Sequence, residues 1–254
     1  MRHKIMGIDV LTCIIGDYDN LRPPLVRSEG VRFVCYTDEP VFDSGWEIQP
    51  ARLRYQSASR NSRIPKILSH LFSKAEFTIW MDACLQPRAD ITELIDLLGN
   101  ADVLGIRHPR LNAIAELEYC AKEAKSLGFE NRTEHMARQV AHYQEAGWSG
   151  EPFICGGILV RRNNAAVRTF NELWWAEYVR WCAEGQPRDQ FSLNYALWKS
   201  GLAVRVVADH HILETPWFAF KGHAAFPNFG DNPQWAAHRE RRAAWREALE
   251  SLLS

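Results

Sequence analysis

Residues 60–85 hold the densest chemistry of this chain: Arg60, Arg63, Lys66 and His70 precede a hydrophobic run that ends on Asp82. Ile64, Ile67, Leu68, Leu71 and Phe72 keep helical spacing, and Arg63, Lys66 and His70 form a second stripe beside them. The spacing predicts a helix capped by Asn61 or Ser62, with Pro65 in its first turn, where a missing N–H is harmless. A cationic helix face beside one strand-end carboxylate suits a diphosphate and its divalent metal. A solvated helix face followed by a turn-forming aspartate would leave the same pattern.

Other polar groups also close strands. Gly16-Asp17-Tyr18-Asp19 ends the apolar run 8–15, Asp38 follows the run 31–36, and Arg107-His108-Pro109-Arg110 follows 103–106. In a parallel sheet the C-terminal strand ends share one edge, where ligands of open α/β sheets bind. Aspartate favours turns on its own account, but four such closures in sequence predict a polar cleft. Gly156-Gly157 interrupts the run 153–160, which predicts either close approach of a ligand or another backbone, or a bulge. Arg188-Asp189-Gln190 opens a helix, where the acid serves a ligand or simply matches the helix dipole. Glu116 and Glu118 lie two apart on one helix and cannot both face a site.

The elements that must position these groups alternate. Strands are expected at 8–15, 31–36, 46–49, 77–81, 103–106, 153–160 and 203–207. Helices are expected near 60–72, 90–98, 112–127, 132–146 and 189–199, with a long one capped by Asn163 or Asn164 and an amphipathic one from Pro233. The alternation predicts a three-layer α/β/α fold on a mostly parallel sheet, one domain over 1–254. Trp174 and Trp198 read as core, and Trp217 and Trp235 as rings that stack on a sugar.

Composition narrows the class. With 46% hydrophobic and 24% charged residues the chain is an ordinary globular one, and a net charge of −1 argues against a broad nucleic-acid-binding surface. Its six cysteines stand singly, without a C-x-x-C pair, so they read as reduced thiols and not as a zinc site or disulfide frame. No signal peptide is expected, and no apolar run approaches the roughly 18 residues that a membrane span needs. The expectation is a cytoplasmic protein, with room for peripheral attachment to the inner face of a membrane.

Six motifs together carry a resemblance: Thr12-Cys-Ile-Ile-Gly-Asp-Tyr-Asp-Asn-Leu, Phe33-Val-Cys-Tyr-Thr-Asp, Arg60-x-x-Arg-x-Pro-Lys, Trp80-Met-Asp-Ala, His108-Pro-x-Arg and Arg188-Asp-Gln. In this order, over about residues 9–200, the chain resembles the glycosyltransferase family that includes the plant TOD and MUCI proteins of cell-wall and mucilage synthesis and their bacterial relatives. The resemblance implies a GT-A-type fold and transfer from a nucleotide sugar, a UDP-sugar, to a saccharide or other hydroxyl acceptor. Analogy with glycogenin-like enzymes further implies retention of the anomeric configuration.

Site roles follow from the same resemblance. Thr12, Gly16, Asp17 and Tyr18 would line the base and ribose pocket, and Asp38 would accept from base or ribose. Arg60, Arg63 and Lys66 would pair with the diphosphate. Asp82 matches the first acid of the Asp-x-Asp signature, which holds Mn²⁺ or Mg²⁺. The second acid is replaced by Cys84, a poor ligand for a hard cation. A metal would therefore need Asp82 with His211 or His223, and Lys221-Gly222-His223 has the look of a basic covering loop. Failing that, the cations do the metal's work. Asp189 and Gln190 would orient donor sugar and acceptor, with His108 and Arg110 as further catalytic candidates and Gly156, Gly157 and Arg188 as sugar contacts. Two other classes compete: a non-catalytic nucleotide- or sugar-binding module, and a nucleotidyltransferase. The second normally opens on a glycine-rich basic loop, whereas Gly16-Asp17-Tyr18-Asp19 is acidic.

Overall fold

The computed structural model describes residues 7–16, 18–39, 44–124, 132–185, 188–208, 210 and 215–222. Asp17, His211, His223, Trp235 and the helix expected from Pro233 lie outside the described residues. The chain begins β1 (Ile8–Ile14), β2 (Val31–Thr37), β3 (Glu47–Pro50), α1 (Ala58–Ile67), β4 (Phe77–Met81), β5 (Leu85–Pro87), α2 (Glu93–Leu98) and β6 (Val103–Arg107). It continues α3 (Ala113–Lys122), α4 (Thr133–Glu145), β7 (Ile154–Arg162), α5 (Ala165–Ala183), α6 (Gln190–Ser200), β8 (Val204–Val207) and β9 (Phe218–Phe220).

Seven strands form one sheet in the order β3-β2-β1-β4-β7-β6-β8. β1, β2, β3 and β4 pair in parallel, as do β6 and β8. β7 runs antiparallel to both of its neighbours, β4 and β6. β1 is buried at every position, and its apolar residues on both faces explain its nearly continuous hydrophobic run, which only Asp9 and Thr12 interrupt. Val10 and Ile14 face a layer built by α2, Leu85, Trp217 and Phe218; Leu11 and Cys13 face α1, α5 and α6. The outer layer on the first face is thus part helix and part a two-stranded β5–β9 ribbon, which a three-residue strand does not announce in sequence. A third apolar cluster joins α3 and α4 to Phe153, Phe191 and Tyr195.

Several local expectations need correcting. α1 starts earlier than its apolar spacing suggests: Ser57 caps it by accepting from the Arg60 N–H at 3.2 Å. Pro65 therefore sits in the last turn, and the helix ends two residues later. Asn61 is buried and clamps the preceding loop instead, accepting from the Arg54 and Tyr55 N–H groups and donating to the Tyr55 carbonyl. Leu71 is exposed, because the helix has already given way to a 3-10 turn. Trp217 is core, its Nε1 donating to Glu93 at 2.9 Å, so its ring is not open to a sugar. Trp198, expected in the core, is 36% exposed.

Candidate functional site

Because β1, β2, β4 and β6 run the same way, the residues that follow them, Gly16, Asp38, Asp82 and His108, lie along one sheet edge. β7 is reversed, so its first residues, including Gly156 and Gly157, reach that edge too. Asp82 is fixed there by three contacts. Its N–H donates to the Gly157 carbonyl at 2.9 Å, and its Oδ1 accepts from Trp80 Nε1 at 2.8 Å and from Lys66 Nζ at 3.4 Å. Its Oδ2 has no hydrogen bond among the described residues, and the side chain is 40% exposed.

Lys66 is 5% exposed and stands between two acids, with Nζ 2.8 Å from Asp189 Oδ2 as well as 3.4 Å from Asp82. The Asp189 contact is an ion pair too oblique to count as a hydrogen bond. Arg63 adds its Nε at 3.7 Å from Asp189 Oδ1. Burial works to raise the Asp189 carboxyl pKa, but Lys66 and then Arg63 outweigh it and hold the group well below the usual carboxylate range. Burial likewise disfavours the Arg63 cation, yet Asp189 and Asp82 leave its pKa raised.

Gly156 is where the ammonium fits. A Cβ there would stand 3.3 Å from Lys66 Nζ and 3.6 Å from its Cε. The close approach foreshadowed by the glycine pair is thus made by a lysine side chain. Gly156→Ala should press the ammonium a few tenths of an ångström out of place against its two acids, at a cost of about 1 kcal/mol. Thermal unfolding of this variant should show the loss; an unchanged melting temperature would mean that Lys66 moves freely.

Second-row groups hold this junction. Gln190 accepts from Gly156 N–H at 3.2 Å and donates to the Ile154 carbonyl, while Asn194 pairs with both backbone groups of Ile154. Gln190, expected at the reacting sugar, is spent on fixing the start of β7. Arg161 is fully buried and donates to the carbonyls of Lys66 (2.8 Å) and Ile67 (3.2 Å) and to Asn171. Burial lowers its pKa to about 9. It caps the C-terminus of α1 and so sets where Lys66 begins, a role that reads in sequence as one more arginine at a strand end.

The remaining expected residues fall in several places. Arg188 pairs with the buried Glu116 at 2.9 Å, and His108 Nε2 lies 3.8 Å from the same carboxylate. Arg188 also donates to the Cys120 sulfur. Arg110 lies over the Tyr119 ring at 3.7 Å, in a loop whose Leu111 takes φ 66°. Asp38 accepts from the Gly16 N–H at 3.1 Å through both oxygens, tying the ends of β1 and β2 together. Thr12 is fully enclosed in the sheet and stands behind the edge, not on it. Tyr18 is half-exposed, and burial first, then Asp19, raise its pKa, with Arg63 opposing them. Arg60 does not join Arg63 and Lys66; it stacks on Tyr55 at 3.8 Å. His70 turns to Asn171 and Glu172 on α5.

The donor set bears on a metal. Asp82 offers one open hard oxygen, which suits Mg²⁺ or Mn²⁺ shared with a diphosphate. The Cys84 thiol is buried, and burial, then Asp82 and Asp19, push its pKa up; as a soft ligand it is a poor substitute for the missing acid on a hard cation. Among the described residues no group of three or more His, Cys, Asp or Glu gathers for a metal ion. His211 and His223 lie outside those residues.

A mostly parallel seven-stranded sheet with acids and cations on its C-terminal edge is the architecture of a GT-A-like α/β protein. The TOD1/MUCI70, glycosyltransferase-like domain family matches residues 45–211, and the chain belongs to that family. No individual curated protein matches it. No helix among the described residues is long and apolar enough to cross a membrane.

Proposed function

We propose that the protein transfers a sugar from a UDP-sugar to a hydroxyl of a saccharide acceptor. The observation that carries this reading is the Asp82 carboxylate, open at Oδ2 and flanked by Lys66, with Arg63 and Lys66 both on Asp189. A leaving diphosphate needs positive charge that is already in place, and two cations anchored by a buried acid provide it without reorganisation. Arg63 and Lys66 bind the diphosphate. Asp82, with His211 or His223, would hold a divalent metal, which would further neutralise the leaving group. Asp189 keeps both cations in place and faces the donor sugar, and Tyr18 borders the nucleotide. His108 and Arg110, farther along the same edge, meet the acceptor.

A screen of nucleotide sugars for release of free UDP tests this reading, and binding without any release would leave a binding module instead. Arg63→Ala should weaken UDP binding by roughly 1.5–3 kcal/mol, the loss of one charge-assisted contact. Calorimetric titration measures it, and an unaltered affinity would move the diphosphate away from α1.

A further inference from the structure

The alternation of β4 carried one step past its end puts Trp80 and Asp82 on the same face of the sheet, and both touch Lys66 of α1 there. Trp80 is 3% exposed and belongs to the apolar layer that also holds Leu11, Ile67 and Leu159. A phenylalanine or leucine would fill that layer without a polar atom, whereas a buried indole brings an N–H that needs an acceptor. The acceptor is Asp82 Oδ1, at 2.8 Å. The second donor on that oxygen, Lys66 Nζ, is farther away at 3.4 Å and is shared with Asp189 at 2.8 Å. Its ammonium also lies 5.9 Å from the centre of the Trp80 ring, so one side chain touches both members of the pair. A diphosphate that draws Lys66 toward itself would leave the indole as the donor that still holds the carboxylate. Being neutral, that donor orients Asp82 without cancelling its charge, and Oδ2 stays open.

We propose that Trp80 is a positioning residue of the site: its indole N–H fixes Asp82 Oδ1 so that Oδ2 faces the divalent cation that accompanies the diphosphate. Trp80 touches neither ligand and acts through Asp82, as the outer partners of a ligating group do. The role rests on the metal-and-diphosphate part of the reading above and not on sugar transfer itself.

The probe is UDP, titrated by calorimetry into the full chain with and without Mn²⁺. In the wild type Mn²⁺ should tighten UDP. Trp80→Phe keeps an aromatic ring in the layer but has no N–H to give. It should lose about tenfold or more of that tightening, while metal-free UDP affinity stays within about twofold. A purely structural tryptophan would weaken both titrations alike, and that result would overturn the proposal. A second readout leaves Trp80 in place, so it decides the matter even if Trp80→Phe does not fold. In ¹⁵N-labelled protein the Trp80 indole N–H signal, one of ten in the chain, should shift in Asp82→Asn and on addition of Mg²⁺ with UDP to the wild type. An indole signal that responds to neither would overturn the proposal. So would a wild-type UDP affinity indifferent to Mn²⁺, or a Trp80→Phe variant that keeps the full tightening. If Mn²⁺-dependent UDP binding is present and is lost in Trp80→Phe, but no nucleotide sugar is turned over, the role of Trp80 stands and the transferase reading falls.

Discussion

Asp189→Asn should lower turnover per folded molecule by a hundredfold or more, on the order of 3 kcal/mol in the barrier. The amide keeps the shape of the side chain but removes the charge that holds Lys66 at 2.8 Å and Arg63 at 3.7 Å. Freed from that charge, both cations attract a diphosphate at least as well as before, so UDP affinity should hold or rise while turnover falls. Calorimetry together with initial rates separates the two quantities. The same variant changes acid stability. Because the Asp189 carboxyl titrates lower in the folded chain than in the unfolded one, its ion pairs stabilise the fold fully above the unfolded value near pH 4. That stability is lost as pH falls further, toward the depressed folded value. Thermal melts of the wild type should show this component below about pH 4, and Asp189→Asn should lack it. A variant that is less stable yet keeps its rate per folded molecule would reduce Asp189 to a structural anchor, and the catalytic role would pass to His108 or Arg110.

Asp82→Asn should abolish Mn²⁺-dependent turnover, a loss of roughly 10²–10³-fold, as expected when one preorganised electrostatic group at a leaving anion is removed. The fold should survive, since Trp80 Nε1 and the Gly157 carbonyl still have partners in an asparagine at this position. UDP titrated with and without Mn²⁺ gives the sharper readout: the metal should tighten binding in the wild type and not in the variant. Of His211→Ala and His223→Ala, the one that copies this behaviour identifies the second ligand. Wild-type activity that persists in excess chelator would refute the metal and leave Lys66 and Arg63 to carry the leaving group alone.

Much of the fold was legible because the strands are buried on both faces. Runs such as 8–15 and 77–81 have little polar content, and the helices between them keep a period near four. The reversed β7 was not legible: a strand buried on both faces carries no mark of direction, and its partners lie far off in sequence. The three-residue β5 and β9 escaped for a related reason, since pairing with each other, not local propensity, makes them strands. Within the site, Arg63, Lys66, Asp82 and Asp189 stood out by type and spacing, and the structure brings them together. Their pairing was not legible, because residues so distant in sequence meet only through β7 and α6. Gly156 was read as close approach of a ligand or another backbone, or as a bulge, and the group that a Cβ there would meet first is the Lys66 ammonium. Gln190 looked catalytic from its neighbours, yet both ends of its amide are tied to β7. Arg161 gave no signal, since a buried guanidinium that caps backbone carbonyls looks in sequence like any surface arginine.

The reversed strand also dictates an order of assembly. β4 and β6 are consecutive among the strands of the main sheet but do not pair; the slot between them is filled by β7, which is synthesised later. Until residues 154–162 arrive, β4 presents an open row of unpaired backbone groups, the kind of edge that invites pairing with other chains. Such far-reaching pairings are slow to form, and the partly folded chain is exposed for that time. Gly156 and Gly157 enter with β7, and Asp189 follows only after α5, so in the growing chain Lys66 has Asp82 as its acid before Asp189 is made. The acid–cation junction is therefore complete only when α6 has followed β7 into place.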